Sequence, residues 1–186
     1  MKKGQLIILS GPSGVGKGTI REQLFKNDNL NLAYSISMTT RKPRDNEEHG
    51  IDYFFVEENE FVDKINQNQL IEWAQFVGNY YGTPREYVEQ LLNDGKNVVL
   101  EIEVQGATQV MEMFPDALSI FIVPPSMEEL ERRIRGRRSE EEEIVLQRLN
   151  KAKHELNLTG DYRYVVENNT LEQTVEQIEE IIKNNI

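Results

Sequence analysis

The segment GPSGVGKGT, from Gly11 to Thr19, has the residue types and spacing of a phosphate-binding loop. It follows the apolar run LIIL and leads into IREQLF, in which apolar residues recur at helical spacing. A glycine-rich turn between a buried strand and a helix lets backbone N–H groups point at phosphate oxygens, and the helix N-terminus adds a favourable field. A lysine at the end of such a loop meets the β- and γ-phosphates of a nucleotide as a point charge. The segment therefore predicts a nucleotide site formed by Gly11, Pro12, Ser13, Gly14, Val15, Gly16, Lys17, Gly18 and Thr19.

The residue after Lys17 departs from the usual loop pattern, in which a Ser or Thr hydroxyl contacts Mg²⁺. Gly18 stands at that position, and Thr19 supplies a hydroxyl one place later. GKGT endings resemble those of nucleoside monophosphate kinases, in which the nucleotides, waters and an acidic residue hold most of the metal. The loop is therefore interpreted as a phosphate site without a metal contact from Gly18. An ordinary glycine turn with a surface lysine is the structural alternative.

The composition bounds the other functions that this chain can have. Its 186 residues fit a single domain. A net charge of −11 disfavours general binding to nucleic acid or to an anionic membrane. The absence of cysteine excludes disulfides, thiolate catalysis and zinc–sulfur sites. No apolar run is long enough for a signal peptide or a membrane span, so we expect a soluble, cytoplasmic protein.

Strand-like and helix-like segments alternate along most of the chain. Short apolar runs predict strands at 5–10, 97–104, 117–123 and 164–168. Helices are predicted to begin at capping boxes formed by Thr83 with Glu86, Ser126 with Glu129, Ser139 with Glu142, and Thr170 with Gln173. This alternation predicts a parallel sheet covered on both faces. Residues 35–82 interrupt it with short β-like pieces around one helix-like stretch, which predicts an inserted lobe.

The inserted segment contains the most specific motif in the sequence. SMTTRKPR, from Ser37 to Arg44, is followed by Glu47, Gly50 and Tyr53. This strongly resembles the signature of the guanylate kinase family, in which S-x-T-T-R-x-P-R precedes E-x-x-G-x-x-Y. The stretches IEWAQF, YYGTP, LEIEVQGA and VENN and the late arginine-rich segment also fit, so the resemblance covers essentially the whole chain.

The resemblance implies an α/β fold with three parts. These are a three-layer phosphate-loop NTPase core with a parallel sheet, an inserted, mostly β GMP-binding lobe, and a helical lid. They divide a single domain into a core (1–34, 83–125 and 159–186), a GMP-binding lobe (35–82) and a lid (126–158). Trp73, inside the lobe, is expected in the core of the protein.

The same resemblance implies a GMP site in the lobe. Guanine offers two adjacent donors, N1–H and the 2-amino group, and one carboxylate can accept both. Glu72 is the candidate for this contact and Ser37 can donate to O6, with an exposed strand position as the alternative for each. Arg41 and Arg44 can each grip the GMP phosphate with two hydrogen bonds. The implied GMP-binding residues are Ser37, Arg41, Arg44, Tyr53, Glu72, Tyr81, Thr83, Glu101 and Glu103.

By the same resemblance, two of these carboxylates are also expected near Mg²⁺. Glu101 and Glu103 alternate on the predicted strand 97–104, so we expect both to face the ligand at the end of that strand. The resemblance assigns them to Mg²⁺-bound waters and guanosine contacts. Thr19 and Glu101 are the metal candidates, and Glu103 is a departure because the family usually has Asp there.

The same resemblance implies that the lid supplies positive charge to the site. Phosphoryl transfer between two polyanions depends mostly on positioning and electrostatics. Arg133 matches the family position near the adenine and phosphates, whereas Arg137 and Arg148 match positions near the transferring group. Asn168 is expected to approach the adenine, so Arg133 and Asn168 join the loop as ATP-binding candidates.

Taken together, these residues imply Mg²⁺-dependent transfer of the γ-phosphate of ATP to GMP in purine nucleotide metabolism, giving ADP and GDP. The expected catalytic residues are Lys17, Arg41, Arg137 and Arg148. ATP and GMP are the expected partners, with no nucleic acid and no membrane, and homo-oligomerisation is left open. Two alternatives are kept. One is a non-catalytic guanylate-kinase-like protein-interaction module, and the other is a kinase for a different monophosphate such as AMP.

Overall fold

A five-stranded parallel sheet lies at the centre of the computed structural model, which describes residues 2–76, 78–137 and 142–186. In chain order the strands are β1 (Leu6–Ser10), β2 (Leu32–Tyr34), β3 (Met38–Thr39), β4 (Phe54–Phe55), β5 (Leu70–Phe76), β6 (Asn79–Pro84), β7 (Asn97–Glu101), β8 (Leu118–Val123) and β9 (Tyr164–Glu167). The helices are α1 (Lys17–Leu24), α2 (Glu58–Asn66), α3 (Arg85–Asn93), α4 (Val104–Met113), α5 (Met127–Arg137), α6 (Glu142–Leu156) and α7 (Leu171–Lys183). The central sheet has the order β2-β7-β1-β8-β9.

Apolar clusters cover both faces of this sheet. Strand β1 is buried along its whole length and pairs with β7 and β8, which explains why these segments are continuous apolar runs. Helices α3 and α4 pack on one face and α1 and α7 on the other. This arrangement confirms the predicted α/β core with helices on both sides of a parallel sheet.

The end of β7 corrects the prediction of a strand at 97–104. The strand stops at Glu101, and Glu103 precedes the first residue of α4. Val104, Ala107 and Val110 recur every three residues and are buried against the sheet, so the chain becomes helical although the alternation of EIEV favours a strand. Glu101 and Glu103 therefore do not share the face of one strand.

The helix starts agree with the capping boxes only in part. The backbone N–H of Glu129 donates to the Ser126 hydroxyl at 3.1 Å, which confirms that cap. Thr83 is not a cap, because it lies within β6 and its hydroxyl donates elsewhere. Thr170 precedes α7 without a capping bond from its side chain. The box at Ser139 lies outside the described residues.

A second sheet, with the order β4-β3-β6-β5, forms the inserted lobe together with α2. Its small core contains Met38, Phe61 and Leu70. Trp73 on β5 is 38% exposed, so the prediction that it lies in the core is wrong. The side-chain amide of Gln109 on α4 brackets the Trp73 backbone: it accepts from the N–H and donates to the C=O, both at 3.1 Å. The predicted lobe boundaries at 35–82 stay a prediction.

Helices α5 and α6 pack against each other through a separate apolar cluster. Leu130 and Ile134 of α5 meet Val145, Leu149 and Ala152 of α6. These residues recur at helical spacing on the two helices that the sequence predicts within segment 126–158. Within the described ranges, no helix is both long and apolar enough to cross a membrane.

Candidate active site

The loop between β1 and α1 has the backbone geometry of an anion cradle. Gly14 and Gly16 have φ values of +87° and +103°, which side-chain-bearing residues rarely adopt. A Cβ on Gly16 would lie 2.7 Å from Nδ2 of Asn168, so the loop also needs glycine there for space. Helix α1 begins at Lys17, directly after this turn, and its free N–H groups face the same region.

Lys17 lies across the loop rather than in solvent. Its Nζ donates to the carbonyl oxygens of Gly11 at 2.6 Å and Pro12 at 3.2 Å. Burial lowers the pKa of its amine, and the nearby carboxylates, Glu101 foremost, act in the opposite direction. The lysine faces a cavity of about 270 Å³ that is lined by the loop glycines, Ser13, Glu101, Ile102, Glu103, Lys151 and Glu155.

Gly18 leaves room for a carboxylate beside the loop. A Cβ on Gly18 would lie 3.5 Å from Oε1 of Glu101, the last residue of β7. Glu103 is also at this cavity, where its Oε2 accepts from Lys151 of α6 at 2.9 Å. Thr19 is exposed and is not among the residues that line the cavity. Within the described residues, no three His, Cys, Asp or Glu side chains form a group that could hold a metal ion.

The α5–α6 pair contacts the loop through its arginines. Arg148 donates to the Ser13 hydroxyl at 2.9 Å. Arg133 donates to the carbonyl oxygens of Val15 and Asn168, at 3.4 and 3.1 Å. The Asn168 amide also donates to Val15 at 2.8 Å, so it supports the loop backbone. Arg137 ends α5, and its side chain lies outside the described part of the structure.

Glu72 forms the polar centre of the lobe. It is 8% exposed, and the Thr83 hydroxyl donates to its Oε1 at 2.6 Å from the neighbouring strand. Burial raises the pKa of its carboxyl to about 6, while the Thr83 hydrogen bond acts to lower it and the charge of Glu103 to raise it. The carboxylate lies against Gly106 of α4, because a Cβ there would be 2.8 Å from its Oε2, and Glu103 at the start of the same helix lines the loop cavity.

The remaining lobe candidates gather around Arg41. Its guanidinium donates to Glu47 at 2.9 Å and lies 5.4 Å from the centre of the Tyr53 ring. The ring of Tyr53 meets the ring of Tyr81 edge-on at 6.3 Å. Glu47 also accepts from the backbone N–H of Arg44 at 2.9 Å, so one carboxylate holds both arginine positions of the motif.

Ser37 lines a second cavity together with Tyr53, whose ring lies near Arg41. This cavity has a volume of about 540 Å³ and also receives Arg21, Tyr34 and Tyr53. The structure thus groups the predicted residues into a loop set with Lys17 and a lobe set around Arg41 and Glu72.

Comparison with known proteins identifies the family. A family profile described as guanylate kinase matches residues 3–185. The chain belongs to the guanylate kinase family. A guanylate kinase of Bacillus cereus is 54% identical over 181 residues, which cover 97% of this chain and 88% of that protein. A guanylate kinase of Mycoplasma mycoides is also 54% identical over 182 residues. The match covers 98% of this chain and 61% of that protein.

A solved guanylate kinase has the same fold. The crystal structure of guanylate kinase from Anaplasma phagocytophilum superposes with a TM-score of 0.76 at 36% identity, covering 98% of this chain and 86% of that one. These matches confirm the resemblance drawn from the 37–53 signature. They also favour an enzyme over the non-catalytic interaction module, because the relatives are named as guanylate kinases across nearly the whole of this chain.

Three residues at the site of this guanylate kinase have no predicted role from the sequence. Lys151 and Glu155 line the loop cavity, and Arg21 pairs with Glu101 at 3.3 Å. Arg21 lies three positions after Gly18, so helical spacing alone places both on one side of α1. No local pattern pointed to Lys151 or Glu155, because both lie on a distant helix.

Proposed function

We propose that this chain is a guanylate kinase that transfers the γ-phosphate of ATP to GMP, giving ADP and GDP. The observation that carries the proposal is the buried Glu72 carboxylate, which lies against Gly106 in the first turn of α4, the helix whose N-cap residue Glu103 lines the phosphate-loop cavity. A carboxylate kept from water needs hydrogen-bond donors, and guanine presents two of them side by side.

Base selection rests on Glu72. Its carboxylate accepts from N1–H and the 2-amino group of guanine, while Thr83 and Ser37 supply hydroxyls. Adenine lacks this donor pair and would leave the buried charge unpaired, which discriminates strongly between substrates. The AMP-kinase alternative would require a site without that carboxylate.

The GMP phosphate is held by Arg41 and Arg44, with the hydroxyls of Tyr53 and Tyr81. Arg41 is preoriented by Glu47 and by its position near the Tyr53 ring. Guanidinium groups suit this task because their planar forks match phosphate oxygens. The phosphate then serves as the nucleophile, so no covalent intermediate with the protein is required.

ATP binds with its phosphates on the loop. Lys17 exchanges its bonds to the Gly11 and Pro12 carbonyls for the β- and γ-phosphate oxygens. Arg148 and Arg137 come from the lid to the transferring group, and Arg133 approaches the adenine side. Asn168 holds the loop from behind. The four cations Lys17, Arg41, Arg137 and Arg148 spread the charge of the transition state, and closure of the lid excludes water.

Mg²⁺ enters as part of the MgATP substrate. The donor set fits a cation held mainly by phosphates and waters, because the described residues form no three-ligand cluster and one Glu101 oxygen lies beside Gly18. Glu101 would receive a metal-bound water, with Thr19 as the second candidate. We further propose that the enzyme works in purine nucleotide metabolism in the cytoplasm, with neither nucleic acid nor membrane as a partner.

A coupled assay of ADP release with ATP and Mg²⁺ tests the function. GMP, AMP, CMP and UMP are each supplied as the acceptor, and we expect ADP with GMP alone. Release with AMP instead would overturn the role of Glu72 while keeping the phosphate loop. No release with any monophosphate would overturn the kinase proposal and favour a binding module.

Affinity for GMP should fall as the pH is lowered through about 6. Burial raises the pKa of the Glu72 carboxyl to about 6. The ionised form, which accepts both guanine donors, is present above this value and is lost below it. Calorimetric titration with GMP across this range measures the effect, and the Glu72→Gln variant retains only the titration of the GMP phosphate itself. Identical pH profiles for the two proteins would contradict the prediction.

Gly106→Ala should raise the KM for GMP by about 10- to 100-fold, since small misplacements of positioning groups have effects of this size. A Cβ at this position of α4 would lie 2.8 Å from Oε2 of Glu72 and would displace the carboxylate. Gly136→Ala is the matched control, because that glycine is also helical and a Cβ there meets nothing within 4 Å. An unchanged KM for GMP in Gly106→Ala would show that Glu72 tolerates displacement.

A further inference from the structure

Arg21 makes a specific ion pair that the mechanism above does not use. It lies on α1, and its Nη1 is 3.3 Å from Oε2 of Glu101. The two side chains are 26% and 21% exposed, so the pair is largely shielded from water. Shielding of this kind makes a charge pair stronger than a pair on an open surface.

The Tyr34 ring makes a second contact with the guanidinium. The guanidinium carbon of Arg21 lies 4.5 Å from the centre of the Tyr34 ring. Tyr34 ends β2 and pairs with Val99 in the neighbouring strand, so the ring is carried by the central sheet. A cation over an aromatic face is attracted by the ring, which limits the rotamers open to Arg21. The arginine therefore contacts side chains at the ends of two neighbouring strands, Glu101 on β7 and Tyr34 on β2.

The pair lies between the two cavities of the site. Glu101 lines the phosphate-loop cavity, whereas Arg21 lines the second cavity with Ser37 and Tyr53. With Oε2 paired to Arg21, the other oxygen of Glu101 faces the open space at Gly18. One oxygen of Glu101 is thus held by Arg21, while the other lies beside Gly18 at the phosphate loop.

The orientation of Glu101 matters for Lys17. Lys17 and Glu101 line the same cavity, and Glu101 is the first of the carboxylates that raise the pKa of the Lys17 amine against the effect of burial. A Glu101 side chain released from Arg21 could turn toward Lys17 and pair with it. Such a pair would compete with the phosphates of ATP for the same ammonium group.

We propose that Arg21 is a positioning residue that holds Glu101 between the ATP and GMP sites and keeps it from pairing with Lys17. The proposal rests on the kinase function proposed above. Arg21 does not contact the reacting atoms; it acts through the orientation of Glu101.

A double-mutant cycle with Glu101→Gln tests this coupling. Arg21→Ala should lower kcat/KM for ATP by about 10- to 100-fold, as loss of a partner that orients a metal-site carboxylate does. Arg21→Lys should restore part of the loss. In the Glu101→Gln background, Arg21→Ala should have little further effect, because no carboxylate is left to hold. Lys26→Ala removes the same charge from an exposed position just after α1 and should leave activity unchanged.

Equal losses in both backgrounds would overturn the proposal, since Arg21 would then act independently of Glu101. A second readout does not depend on activity: crystal structures of the native protein and of Arg21→Ala without substrates. We expect Glu101 to leave Gly18 and approach Lys17 in the variant. An unmoved Glu101 would overturn the proposal. A native protein inactive with GMP would instead overturn the kinase assignment, whichever position Glu101 takes.

Discussion

Replacement of Lys17 with alanine is expected to lower kcat by about 10²- to 10³-fold, the loss typical of removing one preorganised donor from a developing charge. Lys17 is partly buried and held against the carbonyl oxygens of Gly11 and Pro12, so its amine is already confined to the loop. In phosphoryl transfer such a cation acts on the phosphate oxygens and not on the acceptor base. Affinity for GMP should therefore be nearly unchanged.

The measurement pairs steady-state kinetics with calorimetric titration of GMP in the absence of ATP. Lys26→Ala is the control for loss of one positive charge at an exposed position. The variant should remain folded, because removal of a desolvated ammonium takes no apolar packing from the core. A Lys17→Ala protein with native turnover would refute the mechanism, and one that loses GMP binding would show that the lysine organises both sites.

The second large effect is expected from Glu72→Gln. The amide retains one acceptor but places a donor opposite a guanine donor, so at least one charge-assisted bond is lost and one contact becomes repulsive. Since hydrogen bonds to charged groups contribute about 1.5–3 kcal/mol each, kcat/KM for GMP should fall by about 10²-fold or more. Kinetics with ATP saturating measure the loss, and Glu86→Gln on the exposed side of α3 is the matched control.

The same substitution should stabilise the substrate-free protein. Burial raises the pKa of Glu72 from 4.5 to about 6, so ionisation at neutral pH costs about 2 kcal/mol of folding free energy. The cost is absent at pH values below the unfolded pKa and grows as the pH rises toward 6. Thermal unfolding of Glu72→Gln at neutral pH should therefore occur at a higher temperature. If the Glu72→Gln variant has the same kcat/KM for GMP as the native protein, the base contact is disproved, whatever the change in thermal stability.

The sequence predicts those features that depend on neighbours along the chain. The phosphate loop was predicted because a buried strand, glycines and a helix start occupy consecutive positions. Strands β1 and β8 were predicted because both faces are buried and their apolar runs are continuous. The three-residue strand β2 was missed, since it is short and only half-buried and owes its conformation to pairing with β7.

Features set by distant contacts could not be predicted in the same way. Thr83 followed the pattern of a helix cap, but its hydroxyl is taken by Glu72 across the strand pair. The strand at 97–104 was predicted too long because EIEV alternates, whereas burial of α4 against the sheet decides the helix start. The sequence predicts no role for Arg21 because its partners Glu101 and Tyr34 come together only in the folded protein. The roles assigned to the site residues stay predictions.

The side-chain amide of Gln109 occupies backbone groups at the edge of the lobe sheet. Strand β5 is the outer strand of the lobe sheet, and an outer strand offers unpaired N–H and C=O groups to strands of other molecules. At Trp73 both groups are already occupied by the Gln109 side chain. The glutamine therefore takes the place of a neighbouring strand at the middle of β5 and leaves neither backbone group of Trp73 open to a strand of another molecule.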